Sequence, residues 1–234
     1  MNSALLPVPK IEDDFYDWHA RHAEKCVRVA ERKDWQLVCL GDSITHMFEL
    51  AEQGGPRGKR IWDARLAPRR ALNLGFGWDR IQNVLWRLDH GEWEGLSPKL
   101  AMVLIGTNNL TGTDRARANT PGEIAEGILA IGEKIRGLSP STEVLVLGIF
   151  PRDTPGSALR KSILETNALL AARVPERSGF HYLDLADAFL EADGTIPPRL
   201  LNDGTHPTEA GYRAWAEHLE PYWGRFGIAG EGVG

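Results

Sequence analysis

Five short apolar runs constrain this chain more than any other feature: Gln36 to Leu40, Ala71 to Leu74, Leu100 to Ile105, Val144 to Ile149 and Phe180 to Leu185, with helical patterns between them. Runs of this length suit strands buried on both faces, and the intervening helices suit crossovers between parallel neighbours. The alternation predicts an α/β protein, a parallel sheet covered by helices. The clearest helix follows the third run. Thr120-Pro121-Gly122-Glu123 reads as a capping box with proline at the first helical position, Ile124, Ile128, Ile131 and Ile135 share one face, and Gly137 reads as the stop. A second helix is expected to start at Asp79, whose side chain would accept from first-turn amides. Its Ile81, Val84, Leu85 and Leu88 fall at i, i+3, i+4, i+7, with Trp86 on the apolar side. Residues Ile11 to Val29 and Leu159 to Arg173 also read as helical, and Pro207 opens a last helix carrying Ala210, Ala214 and Leu219.

Nothing in the 234 residues has the composition of a linker, so a single domain over 1–234 is expected, with an N-terminal helical extension at about 11–30 and a mobile tail at Gly227–Gly234. With 42% hydrophobic residues the chain can bury a sizeable core. The net charge of −5, with both signs interspersed, offers no phosphate-neutralising stripe, which argues against nucleic acid as a partner. The most basic stretch, Arg57 to Arg70, is broken by Ile61, Trp62 and Leu66 and reads as a solvated loop or short helix. Two cysteines, Cys26 and Cys39, make neither a disulfide framework nor a zinc site and are expected to be buried thiols. The N-terminus has no signal-peptide h-region and no apolar stretch is long enough to span a membrane, so a cytoplasmic protein without membrane partners is expected.

Loops beyond the carboxyl ends of parallel strands form the functional crevice of an open α/β sheet. Three such loops are polar and glycine-bearing: Gly41-Asp42-Ser43, Gly75-Phe76-Gly77-Trp78-Asp79 and Gly106-Thr107-Asn108-Asn109. A fourth polar segment, Asn202 to Pro207, lies near the C-terminus. A serine hydroxyl needs a base to take its proton as it attacks, and the base must be held in one tautomer. Asp203 and His206 are three apart, so one helical turn would set the carboxylate on the imidazole Nδ1 and leave Nε2 for Ser43. The oxyanion formed on attack needs preorganised donors. The Asn108 side chain, the Ser43 amide and an amide near Gly77-Trp78, just before a helix N-terminus, would supply them.

These blocks, GDSIT (41–45), NLGFGWD (73–79), GTNN (106–109) and DGTHP (203–207), resemble in order and rough spacing those of the SGNH (GDSL-type) hydrolases. Within that family NVLWRLDHGEWEG (83–95) is similar to the intracellular platelet-activating factor acetylhydrolase catalytic subunits and related bacterial acetylesterases. The resemblance implies a three-layer α/β/α flavodoxin-like fold with a central five-stranded parallel sheet. It also implies no cofactor and no metal, and ester hydrolysis through an acyl-enzyme with Ser43, Asn108, Asp203 and His206 carried over; a homodimer is conceivable. One departure stands out: the family's oxyanion-hole glycine immediately precedes an aspartate, where this chain has Trp78 before Asp79 and Gly77 one place early. A Trp78 amide could still donate at negative φ, positive φ being costly for a bulky residue, and its indole would then narrow the acyl pocket toward acetyl.

Each block has a blander reading in isolation: Ser43 as a helix cap, Asn108 as a turn-former, Asp203-His206 as a capping pair. Four in family order favour catalysis. His46 rivals His206 on spacing but has no matching acid and reads as a surface histidine. Neither His19, His22, His90, His181 and His218 nor the cysteines form a metal motif. Trp62, Trp78 and Trp93 are the tryptophans expected near a pocket. The leading expectation is a serine esterase for short acyl, above all acetyl, esters of a carbohydrate or other small alcohol. The alternatives are a lysophospholipase or thioesterase-type lipid hydrolase, which would want a longer groove, and a noncatalytic binding module on the same fold.

Overall fold

The computed structural model describes residues 1–12, 14, 16–50 and 57–230. Five strands, β1 (Leu37–Gly41), β2 (Ala71–Gly75), β3 (Leu100–Leu104), β4 (Glu143–Leu147) and β5 (Phe180–Leu183), form one sheet in the order β2-β1-β3-β4-β5, every pairing parallel. Each of the five apolar runs is therefore a strand. The first three strands are buried at every position, as a sheet covered on both faces requires.

Alternate strand residues feed two cores. Val38, Leu40, Leu72, Leu74, Ala101, Val103, Val144 and Val146 pack with α1 (Trp18–Glu31), α4 (Ile81–Asp89), α5 (Pro121–Leu138) and α6 (Ala158–Arg173). Leu37, Cys39, Leu100, Met102, Leu104, Leu145 and Leu147 pack on the other face with α2 (Ser43–Glu49), α3 (Lys59–Ile61), a π-helical turn (Trp62–Leu66) and α7 (Glu209–Arg225). The result is a three-layer α/β/α arrangement. Strand order reverses at β1, which has β2 on one side and β3 on the other, so the crevice of such a sheet opens above β1 and β3.

Several boundaries differ from the sequence reading, each for a local reason. Helix α1 starts at Trp18 rather than near residue 11, because the Asp17 side chain accepts from the Ala20 amide and caps it. The capping box at Thr120 and Glu123 forms, but α5 runs through Gly137 to Leu138, where the Ser139 amide still bonds to Ile135 O. Helix α7 is capped by Thr208 and buries Gly211, Tyr212, Trp215, Ala216, Leu219 and Trp223, so Ala210 and Ala214 lie off the buried face. Residues 227–230, read as part of a mobile tail, are tied down: Ile228 is buried and Ala229 O accepts from the Gln36 side chain, while 231–234 lie outside the described residues. Cys39 is buried as expected, but Cys26 is only half-buried. Trp62 and Trp93 are core residues, one in each cluster, and of the three tryptophans assigned to a pocket only Trp78 is exposed. Among the described residues no helix is long and apolar enough to cross a membrane.

Candidate active site

Ser43 is the first residue of α2, which follows the end of β1 after a single residue, Asp42. So sharp a join needs contact without side chains. A Cβ on Gly41 would lie 2.2 Å from Thr45 Oγ1, and one on Gly75 would lie 2.2 Å from the His46 amide nitrogen. The two strand-end glycines let α2 press against β1 and β2. Asp42 caps the helix, its Oδ1 accepting from the Ile44 amide at 3.0 Å, and leaves Ser43 at the tip, 7% exposed.

Ser43 Oγ lies 2.9 Å from His206 Nε2, and His206 Nδ1 lies 2.7 Å from Asp203 Oδ2. The predicted pairing of Asp203 with His206 is present, but no helical turn makes it. Asp203 Oδ1 accepts from the backbone amides of Thr205 (2.9 Å) and His206 (2.7 Å), and a Leu201–Pro207 bridge pins the base of the loop. Burial pushes the Asp203 carboxyl up, but the His206 amide and ring and the Thr205 amide outweigh it and hold it below the usual carboxylate range. It is thus ionised wherever the imidazole needs a counter-charge.

The four candidate oxyanion donors resolve into one engaged amide, two available amides and one side chain with a hydrogen to spare. Gly77 N–H donates to His46 Nδ1 at 3.2 Å, and Gly77 O accepts from Lys10 Nζ and Tyr16 OH, so this peptide is engaged on both sides. The Trp78 amide has no acceptor among the described residues, and the Ser43 amide, at the first position of α2, has no intrahelical one. Asn108 Nδ2 donates one hydrogen to Asp79 O at 2.9 Å and keeps a second. Trp78 has φ +60°, not the negative value its side chain would prefer, and the residue is 59% exposed. A left-handed bulky residue costs about 1–2 kcal/mol. Held strain of this kind concentrates at functional turns.

His46 is not on the surface. It is buried, edge-on to Tyr16, and burial together with Arg21, Lys25, Arg87 and Lys10 pushes its pKa down to about 2. The ring is neutral, so its Nδ1 accepts from Gly77 and it positions the turn carrying Trp78. Asp79 likewise is no helix cap: α4 starts at Ile81 with Arg80 at the capping position, and Asn109 Oδ1 accepts from the Ile81 amide in the cap's place. Asp79 is fully buried and accepts from Trp18 Nε1 (2.7 Å) and Arg87 Nε (2.9 Å), while Arg87 also pairs with buried Glu92 and donates to Leu74 O. This network anchors the turn from below.

Sequence reasoning passed over two residues beside the nucleophile. Arg152, in the loop after β4, donates to Thr107 Oγ1 at 3.1 Å and lies within electrostatic range of Asp42 and Asp203. Its signal was its position, since it follows an apolar run as the other three loops do. The second is Asp42. Burial pushes its carboxyl up to about 7, helped by the Asp79 charge and opposed by the Ile44 amide and Arg152. A carboxyl raised by folding contributes stability that is complete below its unfolded value and is lost as pH rises through the folded one. Asp42→Asn keeps an acceptor for the cap but cannot ionise. The stability difference between wild type and Asp42→Asn should therefore shift against wild type from pH 4 to pH 8 in thermal unfolding. Parallel curves would contradict the assignment.

The four blocks thus converge at the β1/β3 crevice. Among the described residues no group of three or more His, Cys, Asp or Glu could hold a metal ion. Beside Asn108 a cavity of about 120 Å³ is lined by Lys10, Glu12, Trp78, Arg80, Thr111 and Thr113. Residues 39–214 match the GDSL-like Lipase/Acylhydrolase family. The chain is 33% identical over 213 residues to the rat platelet-activating factor acetylhydrolase IB subunit alpha1, covering 90% of this chain and 84% of that protein. The human alpha2 subunit is 33% identical over 195 residues, 83% of this chain and 78% of that one. Among solved structures, a putative acylhydrolase from Bacteroides fragilis superposes with a TM-score of 0.72 at 18% identity, covering 92% of this chain and 99% of that one. An acetylxylan esterase from Geobacillus stearothermophilus gives 0.62 at 15%, over 84% and 96%.

Proposed function

From the premise that the chain belongs to the GDSL-like lipase/acylhydrolase family, and so is a hydrolase acting on esters, we propose that it is a serine esterase of short acyl groups, acetyl above all, working through an acyl-enzyme on Ser43. The observation that carries this reading is the unbroken chain from Ser43 Oγ through His206 to Asp203. As Ser43 Oγ bonds to the ester carbonyl carbon, its proton passes to His206 Nε2, and Asp203 stabilises the imidazolium that forms. The carbonyl oxygen becomes an oxyanion facing the Ser43 and Trp78 amides and Asn108 Nδ2. Collapse breaks the bond to the alcohol, which leaves with the proton from His206. Water, deprotonated by the same ring, then attacks the acyl-enzyme and releases the acid and Ser43.

The preference for a short acyl group rests on Trp78. Its indole borders the small cavity that contains Asn108, the space a longer acyl chain would enter beside the oxyanion donors. The mammalian relatives are named acetylhydrolases, which agrees with that reading. A small alcohol such as a carbohydrate is the proposed leaving group. The test is a series from p-nitrophenyl acetate to decanoate, run on wild type and Trp78→Gly. Removing the indole should raise the hexanoate-to-acetate ratio of kcat/KM by about tenfold. Relief of the left-handed strain should add about 1 kcal/mol of stability. An unchanged ratio would contradict the role of Trp78, and a wild type that favours decanoate would point instead to a lipid hydrolase.

A further inference from the structure

The loop after β4 presents a cation that the hydrolytic steps do not use. Arg152 is half-buried, and among the described residues it makes no ion pair; its one side-chain hydrogen bond is from Nη1 to Thr107 Oγ1. Among the described residues Nε and Nη2 have no acceptor, and neither is sealed from solvent. A guanidinium held beside the nucleophile with one edge uncommitted matches the geometry of a carboxylate or phosphate.

The loop is built to hold that side chain in place. Asp153, next in sequence, is left-handed at φ +60°, and its Oδ1 turns away to accept from the Thr154 amide. Arg160, buried on α6, donates from Nε to Arg152 O (2.8 Å), from Nη2 to Asp153 O (2.7 Å) and from Nη1 to Gly194 O (3.1 Å). One buried arginine thus clamps the backbone on which another is displayed. Strain and a buried clamp at an exposed loop are costs that packing alone does not explain.

We propose that Arg152 is a specificity-determining residue that binds an anionic group, carboxylate or phosphate, on the alcohol moiety of the substrate. This rests on the esterase reading above. Because the acyl group in that reading is short and uncharged, an anion reaching the guanidinium belongs to the alcohol. Thr107, one residue before Asn108, then links anion binding to the oxyanion donor.

The experiment compares kcat/KM for phenyl acetate, 4-acetoxybenzoate and 4-acetoxyphenyl phosphate, which share one aryl frame and differ in charge. The readout is the ratio of each anionic ester to the neutral one. Arg152→Met should lower that ratio by about tenfold or more, Arg152→Lys should keep part of it, and Thr107→Val, which removes the hydrogen bond but not the charge, should keep most of it. The wild-type ratio should also fall as salt is raised, while that of Arg152→Met should not. Equal losses on neutral and anionic esters in Arg152→Met would overturn the proposal and make Arg152 a support for Thr107. A wild type active on phenyl acetate whose ratios match those of Arg152→Met would overturn it while leaving the esterase reading intact. A wild type inert to all three esters would overturn both.

Discussion

His206→Ala should lose about 10⁴- to 10⁶-fold in kcat on acetate esters with KM little changed. Among the described residues the His206 imidazole, 2.9 Å from Ser43 Oγ, is the only base placed to take its proton. The other histidine of the nucleophile's helix, His46, cannot substitute: it is buried, neutral and spent on the Gly77 amide. What survives in the variant is the contribution of the oxyanion donors and of binding, which do not depend on the base. The check is steady-state kinetics beside a circular dichroism spectrum matching wild type. A folded variant retaining a tenth of wild-type kcat would mean another base.

Arg87→Met should destabilise the protein by about 3–5 kcal/mol, because it removes the shared cation of a buried ion network, leaving Asp79 without one and Glu92 with only the His22 ring. Burial already pushes the Asp79 carboxyl up to about 6 against the pull of Arg87, so without the guanidinium its charge has little to hold it. The turn bearing Trp78 is tied to Asp79, so esterase activity should fall before the global transition. Adding Asp79→Asn and Glu92→Gln to Arg87→Met should return part of the loss, since the buried groups then carry no charge. Urea unfolding measures both effects. A midpoint for Arg87→Met equal to wild type would contradict the network's role.

The sheet was legible in the sequence because strands buried on both faces leave continuous apolar runs, and each of the five is a strand. The candidate site residues were legible for a different reason: Ser43 and Asn108 directly follow the ends of β1 and β3, where topology gathers function, and Asp203 and His206 share one short polar segment before the last helix. Misreadings fall where a long-range partner overrides a local one. Asp79 has the position of a cap, yet Arg87 and Trp18 claim it. His46 reads as a surface histidine for want of a matching acid, yet the turn after β2 closes over it. Asp203 and His206 meet through an Asx turn, since the amides of Thr205 and His206 satisfy the carboxylate before the helix begins at Glu209. The left-handed Trp78 has no local signal at all, because sequence propensity argues against it and tertiary contacts impose it.

The most direct test of the central claim is labelling by a fluorophosphonate, which reacts with a serine only when a base and an oxyanion hole activate it. Wild type should be labelled stoichiometrically at Ser43 and lose p-nitrophenyl acetate turnover in step with labelling, and Ser43→Ala should show neither. An unlabelled wild type, or equal acetate turnover by both proteins, would contradict catalysis at Ser43 and leave the fold serving as a binding module.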